Sequence, residues 1–184
     1  MHTFNFRSLL IALAVTLPMA ASAPAFAASK ADLESSSKAA LNQLVSQNPG
    51  AKALNAKAVA VLVFPKVTKA GLGVGGQFGE GVLWRKGKAA GYFNTAGASY
   101  GLQAGAQQFG YAMFFMNQKA LDSLSSTQGF EVGVGPSVVV MDEGKAKNVT
   151  SGTLTEDIYA FIFSQKGLMA GLGIQGNKIT RIEK

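Results

Sequence analysis

Two glycine motifs in this chain match the fingerprint that binds the pyrophosphate of a dinucleotide. They are GLGVGG at residues 71–76 and GLGIQG at residues 171–176. Such a motif holds phosphate where a helix follows it, with an acidic residue about 20 positions later for the ribose. The first motif runs into more glycine, with no acidic residue between Glu80 and Asp122, and the second has little sequence after it. We therefore interpret both as strands in which alternate glycines leave one face bare.

Few residues of this sequence are suited to nucleophilic catalysis or to metal binding. The sequence has no cysteine and one histidine, His2, which lies in a segment that we expect to be removed. Without imidazole or thiolate the chain lacks a Ser-His-Asp triad, a Cys-His pair and the usual zinc ligands. The adjacent carboxylates at residues 142–143 and 156–157 sit at predicted turns or strand starts, where a solvated role is expected. We predict a protein that is not an enzyme and that holds no metal or cofactor.

Basic and aromatic residues gather around one predicted hairpin tip. The tip, residues 85–88, separates two strand-like runs over residues 71–84 and 89–94, and Trp84 precedes it. Aromatic rings beside lysines are typical of protein that meets the headgroups of a membrane. The competing interpretation is a solvated turn whose Trp84 packs into the core, and both remain open at this point.

The charge of the chain favours an anionic partner. Without Arg7, which belongs to the expected leader, 16 of the 17 basic residues remain against 10 acidic ones, and nearly all are lysine. Lysine is a hydrated point charge, whereas the planar fork of arginine suits phosphates and bases. Most of the excess lies in residues 30–70. We expect diffuse attraction of this basic end to an anionic surface, and no nucleic-acid binding.

The first residues are typical of a secretory signal. Arg7 precedes a short apolar run, residues 9–17, and small residues follow it as far as Ala27. This run is too short to span a bilayer, which takes about 20 residues in a helix. We expect cleavage after Ala27, or else after Ala23, and export to a bacterial periplasm. No linker divides the rest, so residues 28–184 are expected to form one domain.

Helical patterns open this domain. Ser29 can cap a helix that continues to Gln47 with its apolar residues on one arc, and a second short helix is expected over residues 51–56. The first helix could lie on a membrane or simply pack on the sheet. Residues 58–64 form a continuous apolar run, which predicts a covered, central strand that Pro65 closes.

Strands and turns fill the remainder. Asn117 can cap one short helix, and residues 142–145 form a turn. Strands are predicted over residues 98–108, 111–116, 130–141, 158–163, 168–175 and 178–182, the last three as a meander. The predicted fold class is α+β, with a glycine-rich, mostly antiparallel sheet that is curved or closed, an amino-terminal helix and one short internal helix.

Several segments together resemble the SYLF-domain family. They are AVLVFPKVTKAG at residues 60–71 with the glycine strand after it, YGLQAGA at residues 100–106, and SQKGLMAG at residues 164–171. They occur in the family's order and span most of residues 30–183. The family comprises bacterial exported proteins and eukaryotic modules, and the resemblance implies binding rather than catalysis. Eukaryotic members bind phosphoinositides, partly through an amphipathic amino-terminal helix, and yeast members bind actin filaments.

The resemblance implies that Lys66, Lys69 and Lys166 occupy the family's basic positions, and that Arg85 matches the basic residue after its first glycine strand. We predict a non-enzymatic module of the cell envelope that binds anionic phospholipid. An envelope scaffold that binds another protein is the alternative, and an outer-membrane protein built of strands comes third. The predicted lipid-binding residues are Lys38, Lys52, Lys57, Lys66, Lys69, Trp84, Arg85, Lys86, Lys88 and Lys166.

Overall fold

The computed structural model describes residues 28–125, 129–141, 154–167 and 174–184. Within these ranges the chain is α+β, with three α-helices and a mostly antiparallel, strongly curled sheet. The elements are α1 (Lys30–Gln47), α2 (Pro49–Lys57), β1 (Ala60–Arg85), β2 (Lys88–Phe115), α3 (Gln118–Asp122), a 3₁₀ helix (Ser123–Ser125), β3 (Phe130–Glu131), β4 (Val138–Met141), β5 (Ile158–Gly167) and β6 (Lys178–Ile182). The predicted turn at residues 142–145, and residues 168–173 of the predicted strand 168–175, lie outside the described residues.

Local capping signals set the helix ends. Ser29 caps α1 as predicted, since its Oγ accepts a hydrogen bond from the Asp32 backbone N–H at 3.2 Å. Asn48 separates α1 from α2, and its side chain caps α2 by accepting from the Ala51 N–H at 3.0 Å. The second helix is therefore confirmed and begins earlier than expected, at Pro49. Proline is well suited to the first helical position, because its missing N–H would have no partner in the helix.

One long antiparallel hairpin, β1 and β2, forms the centre of the sheet. It pairs Ala60 with Phe115 at its open end and Arg85 with Lys88 at its tip. The predicted hairpin tip is confirmed. The prediction that Pro65 closes a strand is wrong: β1 continues through it, and the register shifts between Phe64 and Val67. A bulge tolerates proline because the irregular position needs no ladder hydrogen bond there. The predicted strands 98–108 and 111–116 are likewise one strand, β2.

The hairpin curls until β1 lies against itself. A Cβ atom on Gly81 would stand 2.6 Å from both the Phe64 ring and the Val63 carbonyl oxygen. A Cβ on Gly79 would stand 2.7 Å from the Lys66 carbonyl oxygen. Residues 79–81 thus pack directly on residues 63–67 of the same strand. The bare face that alternate glycines create is what allows this close approach of backbone to backbone.

The other strands add to different parts of β2. β5 pairs with the segment that ends at Phe115, and β6 pairs with the segment from Tyr92 to Ala96. β4 lies parallel to β5, and β3 pairs with β6. The predicted meander is therefore wrong, because β6 pairs with β2 on one side and β3 on the other. The predicted strand over residues 130–141 is also wrong: β3 and β4 are separated by a turn in which Gly133 and Gly135 have φ of 99° and 92°.

Apolar side chains cover both faces of the sheet near its open end. Leu62, Met113 and Ala160 are in register on the face that lies within the curl, together with the aromatic residues Phe64, Tyr111 and Phe115. The opposite face is buried beneath α1 and α2. Its buried members are Val61, Val63, Ala112, Phe114, Met141, Tyr159 and Phe161, and the helices contribute Leu41, Leu44, Ala51 and Leu54. The run at residues 58–64 is thus covered on both faces, as its composition predicted.

Candidate functional site

A cleft between α1 and the hairpin tip collects several of the predicted residues. Its volume is about 400 Å³. Lys38 of α1 lines one wall, and Trp84, Arg85 and Lys86 line the other. None of the described residues that line the cleft is acidic. We call this the cationic cleft.

Trp84 is half buried and joins α1 to the sheet. Its Nε1 donates a hydrogen bond to Ser37 Oγ at 2.9 Å, and Ser37 Oγ donates to the Val63 carbonyl oxygen at 3.4 Å. Ser37 is fully buried, so its bond to Val63 is shielded from water, while the bond from Trp84 is partly buried. The ammonium of Lys38 lies 4.7 Å from the centroid of the Trp84 ring, within the range of a cation–π interaction. The Trp84 ring therefore positions the Lys38 ammonium in the cleft, while the Nε1 edge of the ring is held by its hydrogen bond to Ser37.

The turn positions the remaining charges of the cleft. Lys86 and Gly87 have φ of 49° and 76°, which form the tight turn between β1 and β2. Arg85 is exposed, and its Nη2 donates to the side-chain oxygen of Gln118 at 3.0 Å, so α3 steadies the guanidinium. Lys88 is exposed and lies opposite Arg85 in the hairpin register. The structure thus brings Lys38 beside the tip residues that the sequence had already grouped.

The other predicted residues lie elsewhere. Lys52 and Lys57 are exposed on α2, the second in its last turn. Lys66, Lys69 and Lys166 lie where the register of the sheet shifts, beside Pro65 of β1 and Gln108 of β2, and we call this part of the sheet the bend. Lys69 is in register with Gln107 of β2, and the neighbouring Gln108 is in register with Lys166 of β5, so the last two lysines flank β2 from opposite sides. The predicted set therefore divides between the cationic cleft, helix α2 and the bend.

Sequence reasoning missed a larger groove beside α1. This groove has a volume of about 920 Å³ and runs between α1 and β1. Leu33 and Ala39 line the helix side, while Pro65, Phe78 and Phe163 line the sheet side. Phe78 is 53% exposed, although large apolar side chains are usually covered. The signal was present, because Phe78 is the one apolar side chain within the glycine-rich residues 75–81.

Polar contacts join Ala28, the start of α1 and Lys184 next to this groove. Lys184 Nζ forms an ion pair with Glu80 at 2.9 Å and donates to the Ala28 carbonyl oxygen at 2.7 Å. The side chains of Lys184 and Glu80 are only 10% and 14% exposed. On α1, Glu34 accepts a hydrogen bond from the Tyr92 hydroxyl, and this bond raises the pKa of Tyr92. The start of α1 is therefore tied to both the sheet and Lys184.

A buried polar chain inside the curl has a structural role. The Tyr111 hydroxyl donates to Thr95 Oγ1 at 2.7 Å, and Asn177 Nδ2 approaches the same oxygen at 3.4 Å. Gln77 Nε2 donates to Asn177 Oδ1. Burial raises the pKa of Tyr111 far above its ordinary value, so the phenol stays neutral. These hydrogen bonds link β1, both halves of β2 and the turn before β6, and the side chains that form them are buried.

The sequence model of the Ysc84 family, described as "Las17-binding protein actin regulator", matches residues 96–184. Over residues 96–184 the chain matches this family, the SYLF family, as the resemblance in its sequence predicted. No curated protein matches the chain significantly. The matched part contains most of β2 together with α3 and β3 to β6, so α1 and the hairpin tip, which form the cationic cleft, lie before it. In the described ranges, no helix is both long and apolar enough to cross a membrane.

Proposed function

We propose that this SYLF protein is a non-enzymatic phospholipid-binding module of the bacterial cell envelope, and that the cationic cleft attracts anionic headgroups. One observation carries the proposal: Lys38, Arg85 and Lys86 surround half-buried Trp84 in a cleft whose described lining has no carboxylate. The family supports a binding module, since SYLF proteins are known for lipid and actin binding. Phosphate is the group of a phospholipid that these three cations would recognise.

The charges of the cleft set the strength and the salt dependence of this attraction. A basic residue near an anionic membrane surface contributes about 1 kcal/mol, so three contribute about 3 kcal/mol. That energy corresponds to a preference of roughly 100-fold for anionic over neutral vesicles. The Debye length falls from about 10 Å at 0.1 M salt to about 3 Å at 1 M, so binding should be reversed by salt.

Vesicle flotation tests the proposal directly. The full chain is expressed with its own leader, and the form that the cell produces is purified. It is then mixed either with vesicles of phosphatidylcholine alone or with vesicles that also contain phosphatidylglycerol. We expect flotation with the anionic vesicles at low salt and its loss at high salt. Absence from both kinds of vesicle would overturn the proposed function.

A matched pair of variants tests the cleft itself. Lys38→Gln/Arg85→Gln/Lys86→Gln removes its three cations, and Lys119→Gln/Lys178→Gln/Arg181→Gln removes three exposed cations elsewhere. Both variants lose the same net charge. We expect the cleft variant to lose nearly all of its partition to anionic vesicles and the control to keep most of it. Equal losses would show that net charge alone attracts the protein.

Export to the periplasm is part of the same proposal. It rests on the leader-like residues 1–27, in which Arg7 precedes a short apolar run and small residues continue to Ala27. The intact mass of protein recovered from a periplasmic fraction would distinguish cleavage after Ala27 from cleavage after Ala23. Recovery of the uncleaved chain from the cytosol would contradict this part of the proposal.

A protein partner is the second candidate, and the exposed side chains of Val74 and Phe78 favour it. They project from one face of β1 and are 65% and 53% exposed. Val74→Ser/Phe78→Ser should then reduce capture of a specific envelope protein without affecting flotation. If the double variant captures the same proteins as the parent chain, this surface has no such role.

A further inference from the structure

The groove beside α1 has the shape and lining of a site for one hydrocarbon chain. Its volume of about 920 Å³ lies at the upper end of the range of about 300–1,000 Å³ typical of small-molecule sites. Apolar side chains dominate both sides: Leu33 and Ala39 from α1, and Pro65, Phe78 and Phe163 from the sheet. The small side chain of Ala39 keeps the helix side open, while Phe78 forms a wall that is half exposed.

The charges at the groove indicate which end of a ligand lies where. Glu80 lines the groove, but Lys184 pairs with it at 2.9 Å and both side chains are largely buried. This acidic charge is therefore compensated within the protein. Lys66 also lines the groove and is exposed to solvent, with Thr68 on the same strand beside it. A ligand that matches this arrangement has a long apolar part and a single anionic group next to Lys66.

We infer that the groove between α1 and β1 binds the acyl chain of one single-chain anionic lipid, with its carboxylate or phosphate at Lys66. This inference deepens the proposed function, since it names the part of a lipid that the fold itself takes up. It uses residues other than those of the cationic cleft. The cleft attracts an anionic surface, whereas the groove withdraws a single chain from it.

The dependence of affinity on chain length separates the groove from surface attraction. Burying one methylene completely is worth about a fourfold gain in affinity. Because the groove is partly open, we expect between twofold and fourfold for each added methylene in a series of saturated fatty acids. Lysines on a surface, by contrast, respond to the headgroup and give the same affinity across the series.

The test is titration calorimetry of the processed full chain with monomeric decanoate, dodecanoate and tetradecanoate below their micelle concentrations. Ala39→Trp fills the groove from an exposed helix position, and Ser35→Trp places the same side chain at an exposed position of α1 outside the groove lining. We expect Ala39→Trp to weaken binding by tenfold or more and Ser35→Trp to leave it unchanged. Lys66→Gln should weaken binding severalfold at every chain length and keep the dependence on length.

Three results would overturn the inference: no binding of monomeric fatty acid, equal affinity across the series, or equal binding by Ala39→Trp and the parent chain. Circular dichroism checks that Ala39→Trp is folded. If it is not, Phe78→Ala, which shortens the exposed wall, should reduce the gain per methylene, and an unchanged gain would equally refute the groove. If fatty acid does not bind in the groove, the proposed function of the cationic cleft can still hold, and two measurements distinguish these results. The cleft variant should still bind fatty acid, and Ala39→Trp should still float with anionic vesicles.

Discussion

Replacing Gly81 by alanine tests whether the curl of the hairpin depends on a bare strand face. The new Cβ would lie 2.6 Å from the Phe64 ring and 2.6 Å from the Val63 carbonyl oxygen. Phe64 is fully buried, and the carbonyl belongs to the backbone, so neither can move freely. Overpacking of this kind costs about 2–3 kcal/mol in the free energy of unfolding. For a chain of this size we expect the melting temperature to fall by about 4–12 °C.

A second glycine on the same strand provides the control. At Gly76 the nearest atom to an added Cβ is the Gly97 carbonyl oxygen at 3.8 Å, which is an ordinary contact. Gly76→Ala should therefore leave stability unchanged or raise it by up to about 1 kcal/mol, because alanine restricts the unfolded chain.

Urea unfolding followed by circular dichroism measures the difference between these variants. We expect the midpoint for Gly81→Ala to fall by about 1 M with little change in slope. Phe64→Leu removes the contact with the ring but leaves the contact with the Val63 carbonyl. Gly81→Ala should therefore lower the urea midpoint less in a Phe64→Leu chain than in the parent chain. Equal midpoints for Gly81→Ala and Gly76→Ala would refute the idea that the glycines serve the close approach of β1 to itself.

Three further predictions concern side-chain contacts between elements that are distant in the sequence. Trp84→Phe removes the hydrogen bond to α1 and should cost about 1–2 kcal/mol in unfolding free energy, measured with urea. Lys184→Met leaves the largely buried Glu80 carboxylate without its cation, and we expect a loss of about 1–3 kcal/mol that Glu80→Gln in the same chain partly restores. The side chain of Asn117 donates to Asp157 at 2.7 Å and lowers the pKa of that carboxyl. Asp157 therefore stabilises the fold above its unfolded pKa of about 4, and this contribution disappears as the pH falls through the lower folded value. Between about pH 6 and about pH 3 the urea midpoint of Asp157→Asn should fall less than that of the parent chain, and equal falls would contradict this account.

Short-range features of the fold were predictable because a few adjacent residues encode them. Ser29 followed three residues later by Asp32 predicts the start of α1, and Asn117 predicts the cap of α3 in the same way. The turn at residues 85–88 identifies the tip of the hairpin. The family resemblance, confirmed over residues 96–184, depends likewise on short segments in a fixed order.

Errors arose where a local signal met a tertiary constraint. Pro65 predicts the end of a strand, yet the chain passes through it because a bulge in the β1–β2 ladder removes the need for its N–H. Ser37 lies on the buried arc of α1 between Leu33 and Leu41, and a serine there gives no sign that Trp84, far along the chain, will donate to it. Such a bond depends on two elements meeting, which neither segment specifies alone.

The amino-acid sequence by itself determined the helix caps, the hairpin tip, the family match over residues 96–184, and the alternating glycines that make one face of β1 bare. Only the tertiary structure decided what that face touches, which lysines meet around Trp84, and that a groove opens between α1 and Phe78. The physical reason is that capping and turns involve neighbours in the chain, whereas a cleft or a groove needs residues from distant elements. Lys38 and Arg85 become neighbours only because the hairpin curls and α1 packs across it.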